Sequence, residues 1–209
     1  IGARDEARGQ ETAEELRAEG RDAQVIVLDV TDENSIARAA ATIEGRYGRL
    51  DILVNNAGIA LDNTPASETT LETLRRTYDT NVFGLFAVTR AMLPLLRKSE
   101  QGRIVNHSSG LGSLTMNSDP EWEYGHIKPI AYNSSKAAVN MMTIVLAAEL
   151  KDTAIKVNAA DPGYTATDLN NNSGPRTVEQ GAAAAVHLAT LPPDGPTGGF
   201  FDENGPEPW

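Results

Sequence analysis

The sequence contains no cysteine, which excludes a disulfide framework and thiolate metal sites and fits a reducing compartment. Its three histidines, at 107, 126 and 187, have no metal-ligand spacing. Basic residues are scarce. Eighteen Lys and Arg stand against 29 Asp and Glu, for a net charge of −11, so neither a nucleic-acid backbone nor an anionic membrane is an expected partner. There is no apolar run of about 18 residues to cross a membrane and no apolar signal core at the N-terminus, which leaves the cytoplasm as the default address. Aromatics are only 5%, yet 40% of the 209 residues are hydrophobic and 22% charged. That is the composition of a globular domain, not of a disordered, collagenous or coiled-coil chain. With no repeat, low-complexity stretch or dividing linker, residues 1–209 read as one domain.

What is present alternates. Ile1 to Arg4 reads as the tail of a strand running into a polar helix, Asp5 to Glu19. Strands are predicted at Val25–Leu28, Leu50–Val54, Arg103–His107, Ile155–Ala159 and Gly199–Phe201. Helices are predicted over Asp32–Tyr47, Ser67–Thr77, Asn81–Arg97, Tyr132–Leu150 and Thr177–Leu191. Runs such as Ile52-Leu53-Val54 are apolar on both faces, as a parallel strand covered by helices on each side requires. Strand–helix alternation predicts an α/β fold with a doubly wound, Rossmann-like parallel sheet.

Ligands of such sheets bind at the carboxyl ends of strands, and three ends stand out. Asn55-Asn56-Ala57-Gly58 follows the Leu50 strand, Ser108-Ser109-Gly110 follows the Arg103 strand, and Pro162-Gly163-Tyr164-Thr165-Ala166-Thr167 follows the Ile155 strand. Each also reads as an ordinary turn. The helix near Tyr132 carries Tyr132-Asn133-Ser134-Ser135-Lys136, whose i,i+4 spacing puts a phenol and an ammonium on one face. A cation beside a phenol is expected to lower its pKa toward working pH, which suits a general acid or base. The bland alternative is an ordinary helix face.

Taken in order, Asn55-Asn56-Ala57-Gly58, Asn81, Ser109, Tyr132-x-x-x-Lys136 and Pro162-Gly163 resemble the short-chain dehydrogenase/reductases. The resemblance runs from the first residues to about Asp202. The 28 residues from Asn81 to Ser109 select Ser109 over Ser108. The long stretch between Ser109 and Tyr132, and the ending Gly199-Phe200-Phe201-Asp202 closing in Pro208-Trp209, look most like the carbonyl-reductase branch. The resemblance implies hydride transfer between a nicotinamide cofactor and a small carbonyl or alcohol substrate. Tyr132 would be the proton donor, Lys136 would tune it and hold the nicotinamide ribose, Ser109 would bond the substrate oxygen, and Asn81 would hold a relay water. Pro162 and Gly163 would admit the nicotinamide, Thr165 and Thr167 its carboxamide, and Asn56, Ala57 and Gly58 the adenine ribose. Asn81 is alternatively a helix cap.

Cofactor choice turns on the first strand end, where Ala3 is neutral and Arg4 is placed to pair with a 2′-phosphate. NADP is therefore expected rather than NAD, with a solvated helix-start cation as the alternative for Arg4. Asp29 resembles the family's adenine-contacting Asp, with Val30 beside it, although a helix cap competes. His107 is expected to be packed core. Residues 117–129, with Trp122, Tyr124 and His126, either cap the substrate pocket or form a surface excursion. Met141, Met142 and the apolar residues of Val139–Leu150 are expected to face the sheet, with a subunit interface as the alternative; the oligomeric state, monomer or homo-oligomer, stays open.

The chain departs from the family at its start: the Thr-Gly-x-x-x-Gly-x-Gly turn and its flanking strand and helix are absent from the sequence. The expectation is that about 30 further N-terminal residues, one βα unit, supply them. The rival reading is a catalytically inactive or truncated dinucleotide-fold binding protein. Retention of Ser109, Tyr132 and Lys136 together favours the enzyme. A bound-NAD epimerase or dehydratase is disfavoured by Arg4 and by the lack of a substrate domain.

Overall fold

The computed structural model describes all residues, Ile1–Trp209. Six strands, β1 (Gly2–Ala3), β2 (Ile26–Val27), β3 (Ile52–Asn55), β4 (Arg103–His107), β5 (Lys156–Ala160) and β6 (Phe200–Phe201), pair in parallel throughout. Seven α-helices connect them: α1 (Glu6–Ala18), α2 (Glu33–Tyr47), α3 (Leu71–Tyr78), α4 (Leu85–Leu96), α5 (Leu114–Ser118), α6 (Ile130–Glu149) and α7 (Val178–Ala189). The strands form two sheets, β1-β2 and β3-β4-β5-β6, with no ladder between β1 and β3. No helix is long and apolar enough to cross a membrane.

Local chemistry sets the helix ends. Asp5 opens α1 by accepting from the amides of Ala7 and Arg8 at 2.9 and 3.2 Å. Asp32 opens α2 by accepting from Asn34 N at 2.9 Å, and Gly48 closes it with φ 73°, a left-handed conformation that glycine adopts without a Cβ penalty. Asp32 thus does the capping that competed for Asp29.

The core lies on both sides of the larger sheet. Ile104 and Val157 join Val88, Met92, Leu95 and Leu96 of α4 on one side, while Val105 and Ala160 meet Ala184, Ala185 and Leu188 of α7 on the other. Adjacent residues of one strand serve opposite faces, as the pleat dictates. A buried polar chain ties the carboxyl ends together: Asn55 Nδ2 donates to Thr89 Oγ1 and to Asn106 Oδ1, both at 2.8 Å, and Asn106 Nδ2 donates to Thr143 Oγ1 at 2.9 Å. Every member is satisfied, so the network fixes strand ends that an apolar core would leave free to slide.

The structure corrects three expectations. Ile52 and Val54 are 43% and 41% exposed, because β3 is an edge strand without a neighbour on its free side. Met141 is 59% exposed and Val145 56%. At about 100° per residue the buried stripe of α6 runs through Tyr132, Lys136, Val139 and Thr143, which turns Met141 and Val145 away from the sheet. The helices expected over 67–77 and 81–97 are one continuous run, because α3 passes through a π-helical turn at Asp79–Gly84 into α4. Asn81 therefore lies inside a helix and is no cap. Such single-turn insertions rotate side chains out of the α register and recur at functional sites.

The turn at Gly110–Gly112 lies directly on α6. A Cβ on Gly112 would stand 2.7 Å from both the Cβ and the backbone carbon of Lys136, and backbone cannot yield as a flexible side chain can. Gly112→Ala is expected to destabilise the fold by about 1–3 kcal/mol. Chemical denaturation would measure this, and an unchanged midpoint would refute the close approach.

Candidate active site

The carboxyl ends of β3, β4 and β5 open onto a cleft of about 880 Å³, lined among others by Asn56, Gly58, Ser109, Tyr132, Lys136, Pro162, Gly163 and Thr167. With Thr165, nine of the expected site residues, taken from four separate segments of sequence, thus share one cavity. Arg4, Asp29, Val30, Ala57 and Asn81 do not line it.

Tyr132 and Lys136 lie one turn apart on the buried face of α6, 8% and 6% exposed. The first turn of that helix begins after Pro129, which offers no side-chain cap. Its amides are served from a distance: the Asp62 carboxylate accepts from Ala131 N at 2.6 Å and from Tyr132 N at 3.3 Å. This anion at the helix N-terminus fixes the backbone of Tyr132 itself. Lys136 Nζ donates to the carbonyl oxygen of His107 at 2.8 Å and stands 5.6 Å from the Tyr132 ring centroid.

The expected acidification of the phenol does not occur. Burial pushes Tyr132 up to about 12, the Asp161 carboxylate adds to the rise, and the Ser109 hydroxyl opposes it. Lys136 is itself brought down to about 8 by burial, against the pull of Asp161. Removing both groups from water outweighs any benefit the ammonium gives the phenolate.

Both neighbouring serines line the cleft, but they differ in burial and partners. Ser108 is buried and its hydroxyl donates to Asn140 Oδ1, with a longer bond of 3.4 Å to Lys136 O. Ser109 is half-buried on the cleft wall, where its hydroxyl accepts from Leu111 N at 3.2 Å. Asn81 braces the loop after β3: Nδ2 donates to Ile59 O and Ser135 Oγ at 2.9 and 3.0 Å, and Oδ1 accepts from Ile59 N at 2.8 Å. Gly58 lies so close that a Cβ there would be 3.6 Å from both Asn81 Oδ1 and Lys136 Nζ.

His107 is not packed core but a half-buried part of the cleft wall, and burial with the nearby Lys136 charge brings it down to about 4. It is neutral at physiological pH. Of the long stretch before α6, Trp122, Tyr124, Ile127 and Pro129 line the cleft, so it covers the pocket, while His126 is exposed. Trp122, Tyr124 and Tyr164 meet edge to face with centroids 5.8 and 6.1 Å apart.

On the β5 side, Gly163 has φ 64° and its amide donates to Asp161 Oδ1 at 2.9 Å. Thr165 is buried with its hydroxyl donating to Pro162 O at 2.9 Å, so it braces the Pro-Gly turn, and Thr167 lines the cleft at half burial. At the outer end, Arg4 is exposed after β1, and its charge helps hold Asp29 below the ordinary carboxylate range, after the stronger effect of Thr31. Asp29 Oδ1 accepts from the Thr31 amide and hydroxyl at 2.9 and 2.7 Å. Val30 is half-buried, packs against the core and presents its carbonyl to Gly84.

Asp62 and Asp161 were not singled out from sequence, nor was Glu207, which also lines the cleft. Asp161 alone had a signal, its place directly before Pro-Gly.

The chain as a whole is similar to known proteins. Residues 1–177 match the family model described as short chain dehydrogenase. A short-chain dehydrogenase, anuI, of Penicillium roqueforti is 42% identical over 79% of this chain and 67% of its own length. Carbonyl reductase [NADPH] 1 of Mus musculus is 32% identical over the whole of this chain and 88% of its own. Among solved structures, NADPH-bound carbonyl reductase from chicken fatty liver superposes with a TM-score of 0.83 at 29% identity, covering 97% of this chain and 83% of that one. The parallel sheet, the cleft at its carboxyl edge and these matches agree, and the chain belongs to the short-chain dehydrogenase/reductase family of oxidoreductases, as a carbonyl-reductase-like member.

Proposed function

We propose that this chain carries the substrate and nicotinamide side of an NADPH-dependent reductase of small carbonyl compounds. The observation that carries the reading is the convergence of Ser109, Tyr132 and Lys136 on one cleft, with Tyr132 held protonated. A phenol raised to about 12 is fit to give a proton at neutral pH and unfit to take one. The protonated phenol is the form that reduction of a carbonyl requires.

The fit to a dinucleotide is good at its two ends. Gly58 and the left-handed turn at Gly163 bring backbone to the cleft, and Arg4 supplies an exposed cation beside Asp29. The pyrophosphate has no Gly-rich turn among the 209 residues. When bound, the nicotinamide supplies the hydride. Tyr132 gives its proton to the substrate oxygen, and the Ser109 hydroxyl donates a second hydrogen bond to that oxygen as negative charge develops there. Lys136 would hold the nicotinamide ribose. Pro162 and Gly163, in the turn that Thr165 braces, would face the nicotinamide, and Thr167 would receive its carboxamide. Asn56, Ala57 and Gly58 would flank the adenine ribose, Asp29 and Val30 the adenine. Asn81 Oδ1, which accepts from Ile59 N, would offer its other lone pair to a water relaying protons to Lys136.

Arg4 decides the cofactor in this reading. A guanidinium paired with a 2′-phosphate contributes about 1.5–3 kcal/mol, so Arg4→Ala should weaken NADPH about tenfold or more and leave NADH unaffected. Ala3→Asp should shift preference toward NADH, since a carboxylate accepts from ribose hydroxyls and repels the phosphate. Calorimetric titration of both cofactors measures this directly; parallel losses for the two would reduce Arg4 to a solvated cation. Turnover of a panel of small aldehydes and ketones with NADPH tests the activity. Tight NADPH binding with no turnover of any of them would favour the rival dinucleotide-binding reading.

A further inference from the structure

A second cluster of titratable groups shares the cleft with Tyr132 and has no part in the reaction as proposed. Asp161 directly follows β5 and is 8% exposed. Its Oδ1 accepts from Gly163 N at 2.9 Å, while Oδ2 lies so near Gly110 that a Cβ built there would be 3.0 Å away. One carboxylate therefore spans the loop that follows Ser109 and the Pro162–Gly163 turn.

Glu207 meets it from the last residues of the chain, which are fastened over this edge. Asp202 Oδ1 accepts from the amides of Asn204 and Gly205 at 2.7 and 2.9 Å, turning the chain back. Glu207 N then donates to Phe200 O at 2.8 Å, Ser113 Oγ to Pro208 O at 2.8 Å and Thr115 N to Trp209 O at 2.9 Å. The Trp209 ring stacks on Phe200 with centroids 5.5 Å apart. These contacts press the Glu207 carboxyl against Asp161, and Oε2 of Glu207 is buried with no hydrogen-bond partner. A buried, unpaired carboxylate oxygen beside a second carboxylate is not tenable as two anions. It is tenable as an acid that donates a proton.

Resting on the reductase reading, we propose that Glu207 is a positioning residue: its carboxyl proton bonds the Asp161 carboxylate and so ties the end of the chain to the two loops that carry Ser109 and Pro162–Gly163. Burial raises both carboxyls, so the pair holds one proton between them; the Gly163 and Gly110 amides favour the charge on Asp161, and Oε2 of Glu207, which has no such donor, is the better place for the proton. Burial and the Asp161 and Asp202 charges bring Glu207 up to about 8. The nearby cations act on Asp161 and not on Glu207: Lys136 on α6, bonded to His107 O, and the Arg176 guanidinium, which packs against Gly163 and is held by Glu203 at 2.6 Å, both feel the Asp161 charge, whereas Glu207 faces only Asp161 and Asp202. His107 on β4 is neutral, and Tyr132 and Ser109 carry no charge at neutral pH.

The sign follows. Below about pH 8 the shared proton is present and the tie holds; above it two adjacent anions repel and the tail loosens. The full chain is tested by hydrogen exchange at the Thr115 amide, corrected for intrinsic rates, and by the pH profile of kcat/KM. In the wild type both should show a step near pH 8. E207A should raise Thr115 exchange and lower kcat/KM about tenfold at pH 6.5. E207Q, which donates an N–H at every pH, should restore protection relative to E207A and abolish the exchange step. Wild-type exchange in E207A, or a step in E207Q like that of the wild type, would overturn the proposal. The predicted exchange pattern in a protein that reduces no carbonyl would remove the reductase reading and leave the tie between Glu207 and Asp161 in place.

Discussion

Tyr132→Phe should lower kcat for carbonyl reduction by about 10²–10⁴-fold, the range that a positioned general acid contributes, while the Kd for NADPH changes little. The reason is that the phenol has no structural task. The partner of Tyr132 OH is the Ser109 hydroxyl on the cleft wall, and the backbone of the residue is held by Asp62 through amides that Phe retains. The ring keeps its buried place and its position near Lys136, so the variant deletes one acidic proton and little else. Because burial and Asp161 hold the phenol at about 12, the wild type should remain competent as an acid well above neutrality, and oxidation of an alcohol should accelerate as pH rises toward that value. Steady-state kinetics in both directions with calorimetric cofactor titration provide the check. A Phe variant with wild-type kcat would move the acid role to another group, and one that failed to bind NADPH would show that the phenol holds cofactor instead.

Much of this site was legible in sequence because its residues sit where a doubly wound fold exposes chain ends. Asn56, Ser109 and Pro162 each follow a short apolar run, and i,i+4 spacing alone puts Tyr132 and Lys136 on one helix face. What could not be read depends on contacts distant in sequence. Asp62 accepts from the amide of a helix residue 69 positions later, and Glu207 meets Asp161 only after the chain turns back through Asp202. Neither carboxylate has a local pattern to mark it. The π-helical turn at Asp79–Gly84 was missed for a related reason: composition does not record a single residue inserted into a helix, although its effect is to aim Asn81 at the loop after β3. The sign of the phenol's pKa shift is not legible from sequence, because spacing reveals the neighbouring cation and hides the burial of both groups. The edge position of β3 reverses the expected cover of Ile52 and Val54 for the same kind of reason, since a strand's neighbours are set by topology and not by its own apolar run.

Lys136→Met should give a protein that is more stable than the wild type and nearly inactive. An ammonium taken wholly out of water is costly, and the fall of Lys136 from 10.5 to about 8 measures that cost in the fold. Between those two values the unfolded chain holds the proton and the folded chain does not, so stability rises with pH across the window and the penalty is complete below about pH 8. Each pKa unit corresponds to about 1.4 kcal/mol. Met has a similar volume and no charge, but it gives up the 2.8 Å bond to His107 O, a contact whose loss costs about 1–3 kcal/mol. The net gain at pH 7 should be on the order of 1 kcal/mol, or about 2–4 °C in Tm for a chain of this size. The gain should shrink as pH climbs from 8 toward 10.5, because the wild type then sheds its penalty and the variant has none to shed. Activity should move the opposite way, with kcat/KM down at least about 10²-fold and NADPH affinity reduced, which separates this variant from Tyr132→Phe. Thermal melts across pH 7 to 10 measure the first effect. A Met variant less stable than the wild type at pH 7, with a gap that does not change with pH, would mean that the bond to His107 outweighs desolvation and that the amine is held in the cleft at no cost to the fold.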